Sequence, residues 1–360
     1  MFLKQFEIIP SEAILIQSDV LKNRVQLMLE HVDVSKEDAE LGADVLVLAD
    51  MRGLDTHGVS NLLRVYLDRY RNGNINPIPE WKIIQESGSA ATIDADRGHG
   101  IIIAPKAMEI AMNKAAKTGV GVVTIKHARH LGMASYHAML ALDRDMIGVC
   151  MTSCPPSVVP TFGSKAMVGT NPIAMAAPAG MENPFVFDAA TSVIPDNRVH
   201  MAHRLGVDLL PGWIADPEGN PLMESSPPVS PHQLLPLGSI PDTGSYKGYG
   251  LATVVDILSA ILPGMTFGAA RDRSEFGHIV IAYNVEAFID ITRFKQLMDH
   301  FLRTLKGTPT APGHDRVLVA GQLEWETLDK RKREGIPLHK EVVAWFESTL
   351  NDMKLPSLIR

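Results

Sequence analysis

Between residues 100 and 190 the chain alternates two periodicities, and that alternation restricts its fold more than any other feature. Residues 101–117 carry apolar side chains at helical spacing and stop at Gly119; Val120-Gly121-Val122-Val123-Thr124-Ile125 follows as a compact, β-branched run. A second helical stretch, 133–144, leads into Ile147-Gly148-Val149-Cys150-Met151. Two more short apolar runs, 173–176 and 185–188, are separated by Pro, Gly and Asn. Helices interleaved with buried-looking strands call for a sheet covered by helices, an α/β layer architecture.

The flanking segments read differently. Ser18 can cap a helix bearing Leu21, Val25, Met28, Leu29 and Val32. Ser35 and Asp38 form a weak capping box ahead of Ala39, Ala43, Leu46 and Ala49. A third helix starting near Asp55-Thr56 carries Val59, Leu62, Leu63, Tyr66, Leu67 and Tyr70, and stops at Asn72-Gly73-Asn74. Residues 204–245 are rich in Pro, Gly and Ser and read as a long ordered excursion. A helix at 248–262, a strand at 278–283 and helices near 292–305 and 339–353 complete the chain.

Composition narrows the function classes. The 360 residues are 46% hydrophobic and 21% charged, values for a globular enzyme long enough for two domains. A net charge of -7 without a basic cluster leaves no footprint for nucleic acid. The N-terminal segment is broken by Lys4, Gln5, Glu7 and Glu12, so it has no signal-peptide core, and no run reaches the ~18–20 apolar residues of a membrane span. The two cysteines, Cys150 and Cys154, sit four apart in an apolar stretch, which favours buried thiols in a reducing compartment. The expectation is a cytoplasmic protein with no membrane or nucleic-acid partner.

Conventional cofactor and metal motifs are missing. Gly119 and Gly121 have Thr124 where a dinucleotide fingerprint needs its third glycine, and Gly98 and Gly100 have Ile103. Thirteen histidines include His127, His130 and His137, but with no His-Glu-x-x-His or Cys-x-x-Cys no metal site is expected. Three segments are harder to explain as packing. In Asp50-Met51-Arg52-Gly53-Leu54-Asp55-Thr56-His57-Gly58-Val59 a His stands at a helix start beside a glycine. The helix N-terminus disfavours the imidazolium, so a proton donor there needs a carboxylate neighbour; simple capping by Thr56 or His57 is the other reading. Asp188 closes an apolar strand before Ala189-Ala190-Thr191-Ser192, either as a functional carboxylate or as a helix cap. Lys247, between glycines at the start of an apolar helix, suits either a pyrophosphate-like anion or plain exposure.

In order, Asp55-Thr56-His57-Gly58-Val59, His130-Leu131-Gly132-Met133-Ala134-Ser135-Tyr136, Gly169-Thr170-Asn171-Pro172, Asp188-Ala-Ala-Thr-Ser and Tyr246-Lys247-Gly248-Tyr249-Gly250 make a specific pattern. It resembles the type 2 malate/L-lactate dehydrogenase family, which also holds ureidoglycolate and sulfolactate dehydrogenases and reductases of cyclic imino acids. The resemblance runs from about residue 18 to Leu338. It implies an α/β fold with a layered mixed-sheet domain, residues 79–289, that binds NAD or NADP without a Rossmann fold. A helical domain is then built from the terminal segments, 1–78 and 290–360.

Position by position, the resemblance assigns proton transfer to His57, with Asp188 as its partner, and puts His130 near nicotinamide and substrate. It sets the cofactor against Pro184, Phe185, Val186, Phe187, Asp188, Ala189 and Ala190, against Tyr246 and Lys247, and against a late loop at Gly321-Gln322. Thr170 and Asn171 are expected to orient the substrate carbonyl. A family Lys falls on Arg198. Where members commonly carry an Arg to grip the substrate carboxylate, this chain has Asn61; Arg64, a helical turn away, or Arg52 could substitute. The leading expectation is hydride exchange between a nicotinamide and C2 of a small 2-oxo or 2-hydroxy acid. The alternatives are reduction of a cyclic imino acid such as piperideine-2-carboxylate, to which Asn61 gives weight, and a non-catalytic cofactor-binding relative. The resemblance also implies a homodimer.

Overall fold

The computed structural model describes residues 4–359. Its helical layer begins with β1 (Ala13–Ile16), α1 (Ser18–Glu30), α2 (Lys36–Met51) and α3 (Val59–Arg71). Ser35 caps α2 by accepting the Asp38 amide, as its spacing suggests, whereas Gln17 rather than Ser18 precedes α1. The sheet layer follows with β2 (Lys82–Glu86), β3 (Ala90–Asp94), α4 (Gly100–Thr118), β4 (Val120–Ala128), α5 (Ala134–Met139), β5 (Met146–Ser153), β6 (Ile173–Ala177) and β7 (Phe185–Ala189). Beyond it come α6 (Asp196–Leu205), the two-residue strands β8 (Ile214–Ala215) and β9 (Gln233–Leu234), α7 (Ser245–Asp256) and β10 (Phe276–Asn284). The chain closes with α8 (Ile291–Lys306), α9 (Gln322–Glu334), β11 (Ile336–His339) and α10 (Lys340–Asp352).

Seven strands form one mixed sheet in the order β2-β3-β4-β10-β5-β6-β7. Only β3 and β4 run parallel, joined by the crossover helix α4; every other neighbouring pair is antiparallel. The layered, non-Rossmann architecture is therefore the one observed. β7 ends the sheet, so one side of its backbone is left without a strand neighbour.

Two apolar cores meet along α4. Leu21, Val25, Leu46, Leu63 and Leu67 pack with Ile336, Leu338, Phe346 and Leu350, so the two ends of the chain share one core. The antiparallel β1–β11 pair, from Ala13↔His339 to Ile16↔Ile336, clasps them. Ile101 and Ile102 belong to that core, while Ile103, Ala107, Met108 and Ala111 face the sheet residues Val123, Ile125, Cys150 and Val280. Trp325 of α9 packs against both. Helix α8 is tied to the sheet side: the buried Asp299 accepts the amides of Gly180, Met181 and Glu182, and Lys295 pairs with Asp145 at 2.6 Å. The excursion is ordered over its own small core of Val158, Leu209, Trp213, Ile214 and Leu234. Among the described residues no helix is long and apolar enough to cross a membrane.

Candidate active site

Helix α3 starts at Val59, three or four residues later than its sequence pattern suggests, because its cap comes from α2. The buried Asp50 carboxylate accepts the Val59 amide at 2.8 Å, taking one of the orphan N–H groups of the helix start. A side chain at Gly58 would put its Cβ 1.9 Å from Asp50 Oδ1, so only glycine permits this approach. Burial, then the nearby Asp55 carboxylate, push the Asp50 carboxyl up to about 8. Arg331 of α9 donates to Asp55 Oδ1 at 2.6 Å and to the Asp50 carbonyl, and Asn197 donates to the Thr56 carbonyl at 2.7 Å. The loop that carries His57 is thus held from three elements.

His57 Nδ1 lies 2.9 Å from Thr56 Oγ1. Burial, then the positive charge of Arg198, hold its pKa down to about 4, so the ring is neutral at pH 7. A proton-donating imidazole at a helix start needs a compensating carboxylate, a place that the family resemblance gives to Asp188. That pairing is not made: no hydrogen bond or ion pair joins His57 to Asp188 among the described residues, and nothing offsets the lowered pKa.

His57's companion is His130, which follows β4. The rings stack with centroids 5.9 Å apart and 17° between planes. His130 Nδ1 accepts the Gly132 amide at 3.1 Å and lies 2.5 Å from Tyr66 Oη. An amide can only donate, so Nδ1 holds a lone pair and the proton of the neutral ring is on Nε2. Burial, followed by the neighbouring His57, keeps His130 well below the usual histidine range. Phe276 of β10 meets its edge at 5.3 Å.

Asp188 belongs to a second feature. Its Oδ2 accepts the Ser135 amide at 2.7 Å, so it caps α5 from across the sheet; the cap reading was correct in kind, though for another helix. Burial raises its pKa. With Val186, Phe187, Gly321 and Arg52 it lines a cavity of about 270 Å³. Gly321, at φ +86°, rests on β7, where a Cβ would come 2.8 Å from the Val186 carbonyl. Across the 318–322 loop a cavity of about 140 Å³ is bounded by Pro184, Phe185, Ala320 and Gln322. Segments 130 residues apart therefore converge on the free edge of β7. Arg52 is buried, its guanidinium lies 4.3 Å over the Trp325 ring, and among the described residues Nε, Nη1 and Nη2 have no hydrogen-bond partner. An unpaired buried cation beside an open strand edge fits the phosphate- and amide-bearing body of a dinucleotide.

Two short stretches join these features. Arg52 and Leu54 line the larger cavity and His57 follows within the same loop; His130 begins the turn that ends at Ser135, held by Asp188.

Other expected site residues lie elsewhere. Arg64 points away, over Trp345 and onto Glu341 at 2.8 Å, because the α3 face three residues past Asn61 turns toward α10. Asn61 is occupied too, donating to the Asp55 carbonyl at 2.6 Å and accepting from Arg204 at 3.2 Å. Asn171, fully buried, spends its amide on the Cys154 N–H and the Ala252 carbonyl, each at 2.8 Å; the Thr170 carbonyl accepts from Thr191. Asn171 is a structural crosspiece rather than a carbonyl holder. Tyr246 and Lys247 are exposed at the start of α7 and do not line either β7 cavity, nor do Ala189 and Ala190. Asp50 and Ser135 were missed, having no signal beyond lying within the quoted motifs, and Tyr66 read only as core.

Comparison with known proteins decides the family. The family model described as malate/L-lactate dehydrogenase matches residues 16–347. The chain belongs to the malate/L-lactate dehydrogenase family. It is similar to a malate dehydrogenase of Pyrococcus abyssi, 37% identical over 91% of this chain and 92% of that one. An L-sulfolactate dehydrogenase of Methanocaldococcus jannaschii is 35% identical over 91% and 94%. The crystal structure of malate dehydrogenase from Entamoeba histolytica superposes with a TM-score of 0.91 at 33% identity, covering 96% of this chain and 99% of that one. As a malate/L-lactate dehydrogenase family member the protein is an oxidoreductase of the hydroxy-acid type. Dehydrogenases of this family use nicotinamide cofactors.

Proposed function

We propose that this protein moves hydride between a nicotinamide cofactor and C2 of a small 2-hydroxy or 2-oxo acid, with His57 as the proton carrier. The stacked His57–His130 pair carries the reading. A ring with a pKa near 4 is unprotonated at pH 7, and in the tautomer whose Nδ1–H donates to Thr56 Oγ1, 2.9 Å away, the Nε2 lone pair is free to accept a proton. In hydroxy-acid oxidation His57 Nε2 takes the hydroxyl proton; in reduction the ring first takes up a proton from solvent and then gives it to the developing alkoxide. His130, with its proton on Nε2, donates a hydrogen bond to the same oxygen and stabilises charge there. Asp188 acts at one remove, holding α5 and the turn that carries His130. The nicotinamide, when bound, supplies or removes the hydride. Val186, Phe187, Gly321 and Arg52 would hold the rest of the dinucleotide. The malate and sulfolactate dehydrogenases among its relatives support a carboxylate-bearing substrate. Asn61 no longer favours the cyclic imine, since its amide is committed within the chain.

A homodimer fits one surface feature. Leu251, Val254, Ile257, Ile261 and Leu262 make an exposed apolar stripe along α7 and the π-helical turn after it. Sedimentation of Ile257→Asp should give a monomer where the wild type gives a dimer; a monomeric wild type removes the proposal.

The direct assay is oxidation of NADH and NADPH with oxaloacetate, pyruvate, sulfopyruvate and piperideine-2-carboxylate. Turnover of at least one 2-oxo acid above the cyclic imine is expected. Tight NADH binding with no turnover on any of them would instead mark a non-catalytic relative.

A further inference from the structure

We propose that Arg198 is the residue that binds the substrate's carboxylate; this rests on the 2-oxo-acid reading above. Asn197 pins the first turn of α6 to the His57 loop through the Thr56 carbonyl, 2.7 Å away. The next side chain, Arg198, lays its guanidinium 4.8 Å over the Phe6 ring. Its Nε and Nη1 are shielded from solvent and have no hydrogen-bond partner among the described residues. Among the described residues its side chain makes no hydrogen bond or ion pair, and Asp55, whose charge reaches it, is held by Arg331 at 2.6 Å. A guanidinium shielded without an acceptor is costly, and a planar carboxylate satisfies it with two hydrogen bonds.

Two other cations near the loop are already paired. Arg64 pairs with Glu341, and Arg204 donates to Asn61, to the Ser60 carbonyl and toward Glu341. Arg52 stacks on Trp325 in the cavity that holds Asp188. Arg198 is the cation whose charge falls on His57, and it is unneutralised. A carboxylate clamped there would put C2 of a 2-oxo acid, one bond away, beside the imidazole, and would offset the Arg198 charge that adds to burial in holding His57 unprotonated. Arg198 thereby takes over the duty that Asn61 cannot perform.

Two readouts test this, each in wild type, R198M, R198K and R64M. In the first, kcat and KM are measured with NADH or NADPH and pyruvate or oxaloacetate, with neutral pyruvamide alongside. R198M should raise the carboxylate KM about 100-fold with a smaller change in kcat, as loss of a charge-assisted contact implies. It should also erase discrimination against pyruvamide. R198K should recover most of the loss, and R64M should stay within about twofold of wild type, as expected for an exposed pair. In the second, oxamate is titrated into the cofactor-loaded protein and followed by tryptophan fluorescence, which needs no turnover. A wild type that reduces no 2-oxo acid but binds oxamate through Arg198 would sink the proposed reaction and keep this site. Oxamate binding that R198M leaves unchanged, or that wild type lacks, overturns the assignment, as does an unaltered carboxylate KM.

Discussion

His57 owes its position to a carboxyl it never touches. Asp50 caps α3 at the Val59 amide, and Gly58 lets it in. The Asp50 carboxyl titrates near 8 in the folded protein and near 3.8 when exposed, so between those values the native state keeps a proton that the unfolded chain has released. Its stabilising contribution is complete below about pH 4 and is lost as pH rises through 8. Asp50→Asn keeps the acceptor and removes the titration. Its stability relative to wild type, from urea unfolding, should therefore grow between pH 5 and 8 by up to roughly 1.4 kcal/mol per pH unit; a constant difference would contradict this account. The glycine's close approach was legible in the sequence, because a His-Gly pair at a helix start asks for it. Asp50 was not legible as the approaching group, since that depends on how the loop after α2 folds back. The Asp188 partnership failed for a related reason: a strand-end carboxylate can serve any nearby amide, and Ser135 reached it first.

Among the elements, those read best were those with an apolar stripe. The runs that became β4, β5, β6 and β7, and helices α1 to α4, all bury one face and show it in their spacing. Helix α9 was missed because Leu328 is its only buried residue, although it supplies Arg331 and Trp325 to the site. Strands β1 and β11 were missed because each is four residues long and finds its partner more than 300 residues away. The convergence of β7 with the 318–322 loop could be expected only from the family resemblance, since no local periodicity links them. That contact makes its own prediction. Gly321→Ala would force a Cβ against the Val186 carbonyl at a backbone angle alanine resists. Lifting the loop from β7 should raise KM for NADH or NADPH by about tenfold or more while leaving single-turnover chemistry at saturating cofactor near wild type. An unchanged cofactor KM would show that this edge is not where the dinucleotide lies.

At the scale of the whole molecule, burial of neutral histidines shapes the response to acid. His57 and His137 are held down to about 4 and His278 to about 3, while His99 and His130 lie well below the usual range, in each case chiefly through burial. The unfolded chain binds these protons below about pH 6.5 and the native state refuses them, so their contribution is present above 6.5 and drains away as pH falls toward 4. Acid unfolding should be steep there, and His278→Gln, which keeps a polar side chain between Thr152 and the Arg129 carbonyl, should shift the midpoint to lower pH; an unmoved midpoint would argue against a buried neutral ring. Above the histidine range the Asp50 slope opposes further gain.

The claim on which the function rests is proton transfer by His57, and single-turnover oxidation of bound NADH or NADPH by a 2-oxo acid tests it most directly. His57→Asn should slow that step by about 10²–10⁴-fold while leaving cofactor dissociation constants unchanged. Wild-type single-turnover rates in the variant would remove His57 from the chemistry and leave His130 to carry it.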